Sequence, residues 1–516
     1  MQPACIFGRL RSRRDELRRR DLGDGRTPGR SDSRGHTRAR ERYQYRAHDR
    51  RPTATAVALF LAAVAVCGGG AHLTGCDGSE SDRAATAAAR ADSAARVEWA
   101  RTARTAWWNE ARFGLLFHWG LFALPGGFWN GRPQPVPGER LLATGIAPDA
   151  YRRLAEHFRP ADFDPEAWVA LTRRSGARYL LFSAKHLEGF PLWDCATTDY
   201  DVVAATPFGR DVTRELSQAC ERAALPFGLY YALVDWNHPD YLPRRANDPR
   251  PAQTADFARY LDDVEAHLIE LASAYGPVAL FWLAAPGRTD EASAWGRRLA
   301  RPIRTRRPEA LLGGAFGPAA DFTGFTARRA LPAGPRTTAG RPWVYRMPIN
   351  ASPGFHRDAT RWKPTRELLT TLIETVSRGG NLWLEIGPDA NGRVPPAAVA
   401  RLEQLGDWLA INGASIYGTT ASPFADHPWG GCTQRSEPDG TRVIYLHLAR
   451  LPRGGRLALP ELRTVPRRAY FLHRASEELH CNPEGTGVTL ELGVRKPFAT
   501  VQVVVLELPA ATTGAG

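Results

Sequence analysis

Three carboxylate side chains lie where predicted strands end, and they are well placed for acid–base or nucleophilic chemistry. Glu188 and Asp235 follow strand-like segments, and Glu385 lies near the end of another. Two carboxyl groups that face one substrate can supply a nucleophile and a general acid/base. Each also has a structural interpretation. Glu385 can pair with a nearby Arg, Asp235 can accept hydrogen bonds from the turn that follows it, and Glu188 can anchor a loop.

The elements that must position these carboxylates alternate along most of the chain. From about residue 97 to about residue 420, short apolar segments alternate with amphipathic ones. The predicted strands, apolar on both faces as in a buried parallel sheet, are Phe113–Phe117, Tyr179–Ser183, Phe227–Leu233, Val278–Leu283, Ala310–Gly313 and Leu382–Ile386. The predicted helices are 164–176, Asp211–Ala224, Thr254–Tyr275, Thr365–Ser377 and Pro396–Ile411. Repeated strand–helix units predict a TIM-like (β/α) barrel at 97–420, whose active face lies at the carboxyl ends of the strands.

The pattern changes after residue 420. Arg442–Leu448 alternates between apolar and polar residues, and further short strands follow at close spacing with no helix between them. These are Arg456–Leu459, Ala469–Leu472, Val488–Leu492 and Val501–Leu506. Short strands in close succession predict a C-terminal antiparallel β-sandwich at 421–510.

A series of motifs in the barrel region resembles the α-L-fucosidases of glycoside hydrolase family 29. Residues 185–190, Lys-His-Leu-Glu-Gly-Phe, resemble the family's K-H-H-D-G-F. Residues 275–285, Tyr-Gly-Pro-Val-Ala-Leu-Phe-Trp-Leu-Ala-Ala, resemble Y-G-P-x-D-x-x-W-F-D-G. Further similar segments, in chain order, are 112–120, 201–211, 228–241 and 375–395. The resemblance covers about residues 100 to 420. It implies hydrolysis of α-L-fucosides with retention, by two carboxyl groups about 5–5.5 Å apart and without a metal or other cofactor.

This chain departs from the family at the residues that the chemistry needs. Ala284 stands where the family has its nucleophilic Asp, and a methyl group cannot attack an anomeric carbon. Leu187 replaces the second His of the K-H-H motif. The segment nearest to the family's acid/base motif, 321–325, has no Glu. The family's Glu-Trp is matched to Phe128-Trp129, and its W-E-T to residues 343–345, Trp-Val-Tyr. Loss of a nucleophile costs many orders of magnitude in rate.

The resemblance also identifies a set of side chains that could hold a sugar. Imidazole donors and aromatic rings bind sugars by hydrogen bonds and stacking. The matching residues are His118, Trp119, Trp129, His186 and Tyr231. For His118 and Trp119 the alternative is packing at the barrel mouth.

Three functions remain open from the sequence. The first is a fucosidase-like protein with impaired hydrolysis that acts on or binds fucose-type glycans. The second is an active glycosidase, retaining or altered in specificity, with relocated carboxylates among Glu385, Asp235 and Glu188. The third is a non-enzymatic structural or interaction protein whose barrel holds no ligand.

The N-terminal region predicts export. Residues 1–51 hold 16 Arg and 7 acidic residues, which is +9 of the net charge of +14. This basic segment is typical of disorder, so the charge does not indicate nucleic-acid binding. At 52–76 an apolar stretch follows Arg50-Arg51 and ends in Leu73-Thr74-Gly75-Cys76, which resembles a bacterial lipobox. We expect a signal cleaved before a lipidated Cys76, a tether at 77–96, and an exported lipoprotein anchored to a membrane of the bacterial cell envelope. A signal anchor is the alternative.

Four cysteines follow Cys76: Cys195, Cys220, Cys432 and Cys481. The last two fall in the predicted sandwich and could pair outside the cytosol. No CxxC motif occurs, so we expect no structural zinc site.

Overall fold

The computed structural model describes residues 80–245, 248–285, 292–326, 331, 341–425, 427–493 and 498–509. The predicted signal, Cys76 and the basic extension lie outside these residues. The chain divides into two compact units, one of which is residues 17–99. Of that unit only residues 80–99 are described, and they form the first part of helix α1, Glu80–Ala111. The predicted tether thus falls largely within a helix. Within the described residues, no helix combines the length and apolarity that crossing a bilayer would need.

The barrel consists of eight parallel strands. They are β1 (Phe113–Phe117), β4 (Leu180–Lys185), β5 (Phe227–Ala232), β6 (Val278–Ala284), β7 (Leu311–Gly314), β8 (Thr323–Thr326), β9 (Trp343–Pro348) and β10 (Asn381–Ile386). Their order is β7-β6-β5-β4-β1-β10-β9-β8, and a parallel bridge between Gly313 and Phe322 joins β7 to the start of β8. A small hairpin, β2 (Phe128–Trp129) and β3 (Arg132–Pro133), follows β1.

Helices connect and surround the strands. They are α2 (Pro148–Arg152), α3 (Pro165–Arg174), α4 (Val212–Arg222), α5 (Phe257–Ala274), α6 (Ala292–Arg306), α7 (Thr365–Ser377) and α8 (Pro396–Asn412). The helix starts follow from local chemistry: the carboxylate of Asp164 accepts hydrogen bonds from the amides of Glu166 and Ala167, and Pro165 occupies the first helical position. The predicted α7 is confirmed at both ends, and α3, α4, α5 and α8 differ by at most three residues at either end.

Two layers of side chains fill the barrel region. Alternate strand residues face the interior, where Trp282, Phe322 and Trp383 meet with ring centroids 5.4–5.9 Å apart. Trp108, from the C-terminal half of α1, packs on Phe322 at 4.5 Å. The residues between these face outward and form the larger core with the helices. This alternation decides which side chains can reach the barrel mouth.

The predicted β-sandwich is confirmed as two antiparallel sheets. One has the order β11-β12-β17-β14 and the other β13-β16-β15. The strands are β11 (Gly430–Ser436), β12 (Arg442–Leu448), β13 (Arg456–Leu459), β14 (Arg468–Phe471), β15 (His480–Glu484), β16 (Gly487–Glu491) and β17 (Gln502–Leu508). Cys432 and Cys481, for which a pairing was possible, are both free thiols, as are Cys195 and Cys220.

Candidate functional site

The carboxyl ends of the barrel strands bring several predicted site residues to one mouth. His118 directly follows β1, His186 directly follows β4, and Glu385 is the last but one residue of β10. Because the strands are parallel, these ends open on the same side of the barrel. The register of β1 against β10 places His118 and Glu385 at a similar depth in the mouth. Leu116 of β1 lies beside Glu385, and the amide of His118 donates to the carbonyl of Ile386 at 2.8 Å.

A pair of histidines forms the centre of this mouth. Nδ1 of His118 lies 3.1 Å from Nε2 of His186, a hydrogen bond in which one ring donates and the other accepts. The ring of Tyr230 stacks on His186 at 5.4 Å and meets His118 edge-on at 5.0 Å. Burial, and then the neighbouring charges of His118, Lys185 and Arg346, hold the pKa of His186 well below its ordinary value. His186 is therefore a neutral ring at physiological pH.

Glu385 lies between His118 and an arginine. Its Oε1 is 3.4 Å from Nε2 of His118 and 3.7 Å from Nε of Arg346. Burial alone would raise the pKa of Glu385, but Arg346 and His118 outweigh burial and bring the pKa below its ordinary value. The carboxylate is therefore ionised, and its geometry is the ion pair with Arg that the sequence left as one interpretation.

The other two candidate carboxylates hold the backbone and a buried cation. Asp235 accepts the ammonium of Lys185 at 3.1 Å and the amides of Asn237 and His238 at 3.1 and 2.8 Å. Its partners agree with the structural interpretation.

Glu188 accepts the amides of Leu121 and Phe122 at 2.7 and 3.1 Å and the hydroxyl of Tyr151. Burial raises the pKa of Glu188 to about 7, against the lowering effect of these hydrogen bonds. Its contacts make it an anchor for the loop after β1.

Ala284 ends β6 on the face that points into the barrel. It pairs with Ala232 of β5, and it shares its face with Leu280 and Trp282, four and two residues earlier. Together with Leu187 it packs on the aromatic interior while remaining partly exposed. The inner face of β6 therefore ends in a partly exposed methyl group.

The comparison with known proteins agrees with this architecture. A family model described as alpha-L-fucosidase matches residues 83–414, which is more than half of the chain. The chain belongs to the alpha-L-fucosidase family. It is 30% identical to the plasma alpha-L-fucosidase of Rattus norvegicus over 382 residues, covering 69% of this chain and 79% of the rat protein.

Solved fucosidase structures share the fold. Alpha-L-fucosidase isoenzyme 1 from Paenibacillus thiaminolyticus is 29% identical, with a TM-score of 0.70 over 80% of this chain and 100% of its own. An alpha-L-fucosidase from Lactobacillus casei, solved as an Asp-to-Ala mutant in complex with 4-nitrophenyl-α-L-fucopyranoside, is 28% identical. Its TM-score is 0.54 over 59% of this chain and 98% of that chain.

Not every residue that the fucosidase resemblance indicated reaches the mouth. Trp119 is fully buried outside the barrel interior, where its indole donates to the carbonyl of Asp389 at 2.8 Å. Tyr231 also points outward, and its hydroxyl lies 2.8 Å from Nδ1 of His267 on α5. Trp129 lies in the β2–β3 hairpin and stacks on Tyr151 at 6.2 Å. Of the five predicted sugar contacts, His118 and His186 are the two brought together.

Sequence reasoning missed three residues of this fucosidase-family site. Tyr230 takes the place expected of Tyr231, because strand residues alternate between faces. Arg346 lies on β9, a strand that the sequence did not predict. Strict alternation from Val344, which packs in the interior, would have placed Arg346 on the inner face.

The third missed residue is Glu139. It is buried, and its Oε2 accepts from the hydroxyl of Ser352 at 3.1 Å and the amide of Gly354 at 3.3 Å. Burial raises its pKa, while the nearby His118 opposes that effect. The structure therefore places a buried carboxylate at Glu139, close enough to His118 for their charges to interact, whereas the assignment of the family's Glu-Trp to Phe128-Trp129 provides no acid.

Proposed function

We propose that this fucosidase-family protein binds fucose-type glycans while its glycoside hydrolysis is impaired. The observation that carries the proposal is Ala284, at the end of β6, on the face where the family's nucleophile would point. The remaining carboxylates support it, because Asp235 and Glu188 are engaged by backbone amides, Glu139 by Ser352 and Gly354, and Glu385 by Arg346. A retaining mechanism needs one free nucleophile and one acid facing the same bond.

Binding does not require the lost nucleophile. His118, His186 and Tyr230 form a connected group of ring donors and aromatic faces at the mouth. Such groups hold a sugar by hydrogen bonds and stacking without any bond being broken. The Asp-to-Ala mutant of the Lactobacillus casei fucosidase, solved in complex with an aryl fucoside, is a precedent for binding after an Asp is lost.

We further propose that the protein acts at a bacterial cell envelope as a lipoprotein. The support is the lipobox-like Leu73-Thr74-Gly75-Cys76 after an apolar stretch. Lipid attachment at Cys76 would hold the glycan-binding barrel near the membrane surface.

An aryl α-L-fucoside tests the hydrolysis part of the proposal. Its leaving group needs little help from a general acid, so the assay isolates the missing nucleophile. We expect no turnover above the uncatalysed rate, together with measurable binding of fucosides by calorimetry. Turnover in the usual range of roughly 1–10³ s⁻¹, abolished by Glu385→Gln, would establish relocated catalysis instead. Absence of both turnover and binding across a glycan panel would favour a protein without a sugar ligand.

A further inference from the structure

Several buried hydrogen-bond donors in the barrel mouth have no acceptor among the residues that the structure describes. They are Nε and Nη1 of Arg346, Nε1 of Trp282 and Nδ1 of His186, the last being a donor or an acceptor according to tautomer. A buried donor left without a partner costs about 1–3 kcal/mol, and more when it is charged. Native proteins leave few such groups, and a cluster of them at a cleft indicates that something else supplies the acceptors.

The side chains that carry these donors are joined through contacts with the Tyr230 and Trp282 rings. Arg346 comes from β9, and its guanidinium carbon lies 5.2 Å from the Trp282 ring of β6 and 5.9 Å from the Tyr230 ring of β5. His186 stacks on the Tyr230 ring, which Arg346 also contacts. The cation therefore reaches across the barrel interior, and Ala284 follows two residues after Trp282 on the same face.

The nearby carboxylates leave two donors of this cation without a hydrogen bond, although Glu385 forms an ion pair with it. Glu385 approaches Nε of Arg346 only to 3.7 Å, which is beyond hydrogen-bond distance. Glu139 is held by Ser352 and Gly354. On the inner face of β6, the residue that follows Trp282 is Ala284, whose methyl group offers no acceptor. Among the described residues, therefore, no carboxylate oxygen lies within hydrogen-bond distance of Nε and Nη1 of Arg346.

A guanidinium presents its donors in a planar fork that matches the oxygens of a carboxylate or a sulfate. Arg346 keeps 15% of its side-chain surface exposed, so an incoming group can reach it. An anionic oxygen forms a charge-assisted hydrogen bond with such a donor, which is roughly twice as strong as the bond that a neutral hydroxyl group forms.

We propose that the mouth selects sugars that carry an anionic group, a carboxylate or a sulfate ester, and that Arg346 binds that group. This inference rests on the proposed glycan binding and names the class of sugar. His186 and Trp282 supply further donors to the same group or to the adjacent ring hydroxyls. Loss of the Asp at position 284 then removes a negative charge that would repel an anionic ligand and compete with it for Arg346.

Calorimetry on the full-length protein tests this selectivity. The probes are sulfated L-fucose against L-fucose, D-galacturonate against D-galactose, and sodium sulfate alone. We expect at least one anionic sugar to bind about tenfold or more tightly than its neutral counterpart, which corresponds to about 1.4 kcal/mol. Arg346→Gln should remove that preference. Ala284→Asp, which keeps Arg346 but offers it an internal carboxylate, should remove it as well.

Arg456→Gln is the matched control, because Arg456 is an exposed arginine of the sandwich that pairs with Glu484 at 3.4 Å. It should leave every affinity unchanged. Equal binding of neutral and anionic sugars, unaltered by Arg346→Gln and Ala284→Asp, would overturn the selectivity while leaving glycan binding intact. If sodium sulfate binds and none of the sugars does, the sugar assignment is overturned. If no probe binds, both proposals are overturned.

Discussion

Nε of Arg346 lies 3.7 Å from Oε1 of Glu385, across the neighbouring strands β9 and β10. The pair gives the mouth a fixed cation and a fixed anion close to the histidine pair. It also engages Glu385, one of the three carboxylates that relocated catalysis would require.

We predict that Ala284→Asp alone does not restore a fucosidase. The new carboxylate would share its face with Trp282, against whose ring Arg346 packs, so an ion pair would lower its nucleophilicity. Turnover of an aryl α-L-fucoside should stay below roughly 1 s⁻¹, the lower end of usual enzymes. Ala285→Asp, one residue further along, is the control for simply adding an acid. Rescue into the enzyme range by Ala284→Asp only would show that one residue accounts for the impairment.

The buried pair of Lys185 and Asp235 should be far more important for stability than a surface pair. Both side chains are almost fully buried, at 1% and 6% exposure, with Nζ and Oδ2 3.1 Å apart. Lys185→Met leaves an unpaired buried carboxylate and should lower the free energy of unfolding by about 3–5 kcal/mol. Arg222→Met breaks an exposed pair with Glu166 and should cost less than about 1 kcal/mol. Urea denaturation that gives equal losses for the two variants would contradict this assignment.

His267 should make folding sensitive to acid. Burial, and then the charge of Lys185, lower its pKa to about 3, while the unfolded chain titrates near its ordinary value of about 6.5. The unfolded state therefore binds more protons, so the contribution of His267 is complete above pH 6.5 and is lost as the pH falls toward 3. At pH 4.5 the loss is about 2–3 kcal/mol.

Urea denaturation of the wild type and of His267→Gln at pH 7 and pH 4.5 measures this effect. Nδ1 and Nε2 of His267 bond Tyr231 and Thr197, so the variant should be less stable at pH 7. Its deficit should shrink at pH 4.5. The exposed His480→Gln is the control. A deficit that does not change with pH would refute the titration of His267.

Membrane association should depend on Cys76. The thiol of Cys76 is the only group of the Leu-Thr-Gly-Cys tetrad that can take a thioether-linked lipid. Cys76→Ala should therefore abolish incorporation of a labelled fatty acid and move the protein out of the membrane fraction. Cys481→Ala, which removes a free thiol in the sandwich, should change neither. Membrane association that persists in Cys76→Ala, with no lipid on the wild type, would indicate a signal anchor.

Much of the fold could be read from local patterns. Buried parallel strands are apolar on both faces, and helix starts such as Asp164-Pro165 carry their own capping signals, so six barrel strands and five helices were predicted near their observed bounds. Strands β8 and β9 were not predicted, because Gly324, Arg346 and Pro348 interrupt their apolar pattern. Helix α6 was not predicted, because it contains Pro302 and is rich in arginine.

The sequence by itself determined the family, the order of the elements and the absence of an Asp at position 284, since these depend only on residue type and spacing. Tertiary structure decided which side chains meet. Because side chains alternate between the two faces of β5, Tyr231 points outward and Tyr230 points inward. The register of the barrel strands places Glu385 beside His118. Arg346 reaches Tyr230 and Trp282 only because closure of the barrel brings β9 opposite β5 and β6. Such contacts join residues far apart in the chain, 64 positions for Trp282 and Arg346 and 116 positions for Tyr230 and Arg346, and no local pattern encodes them.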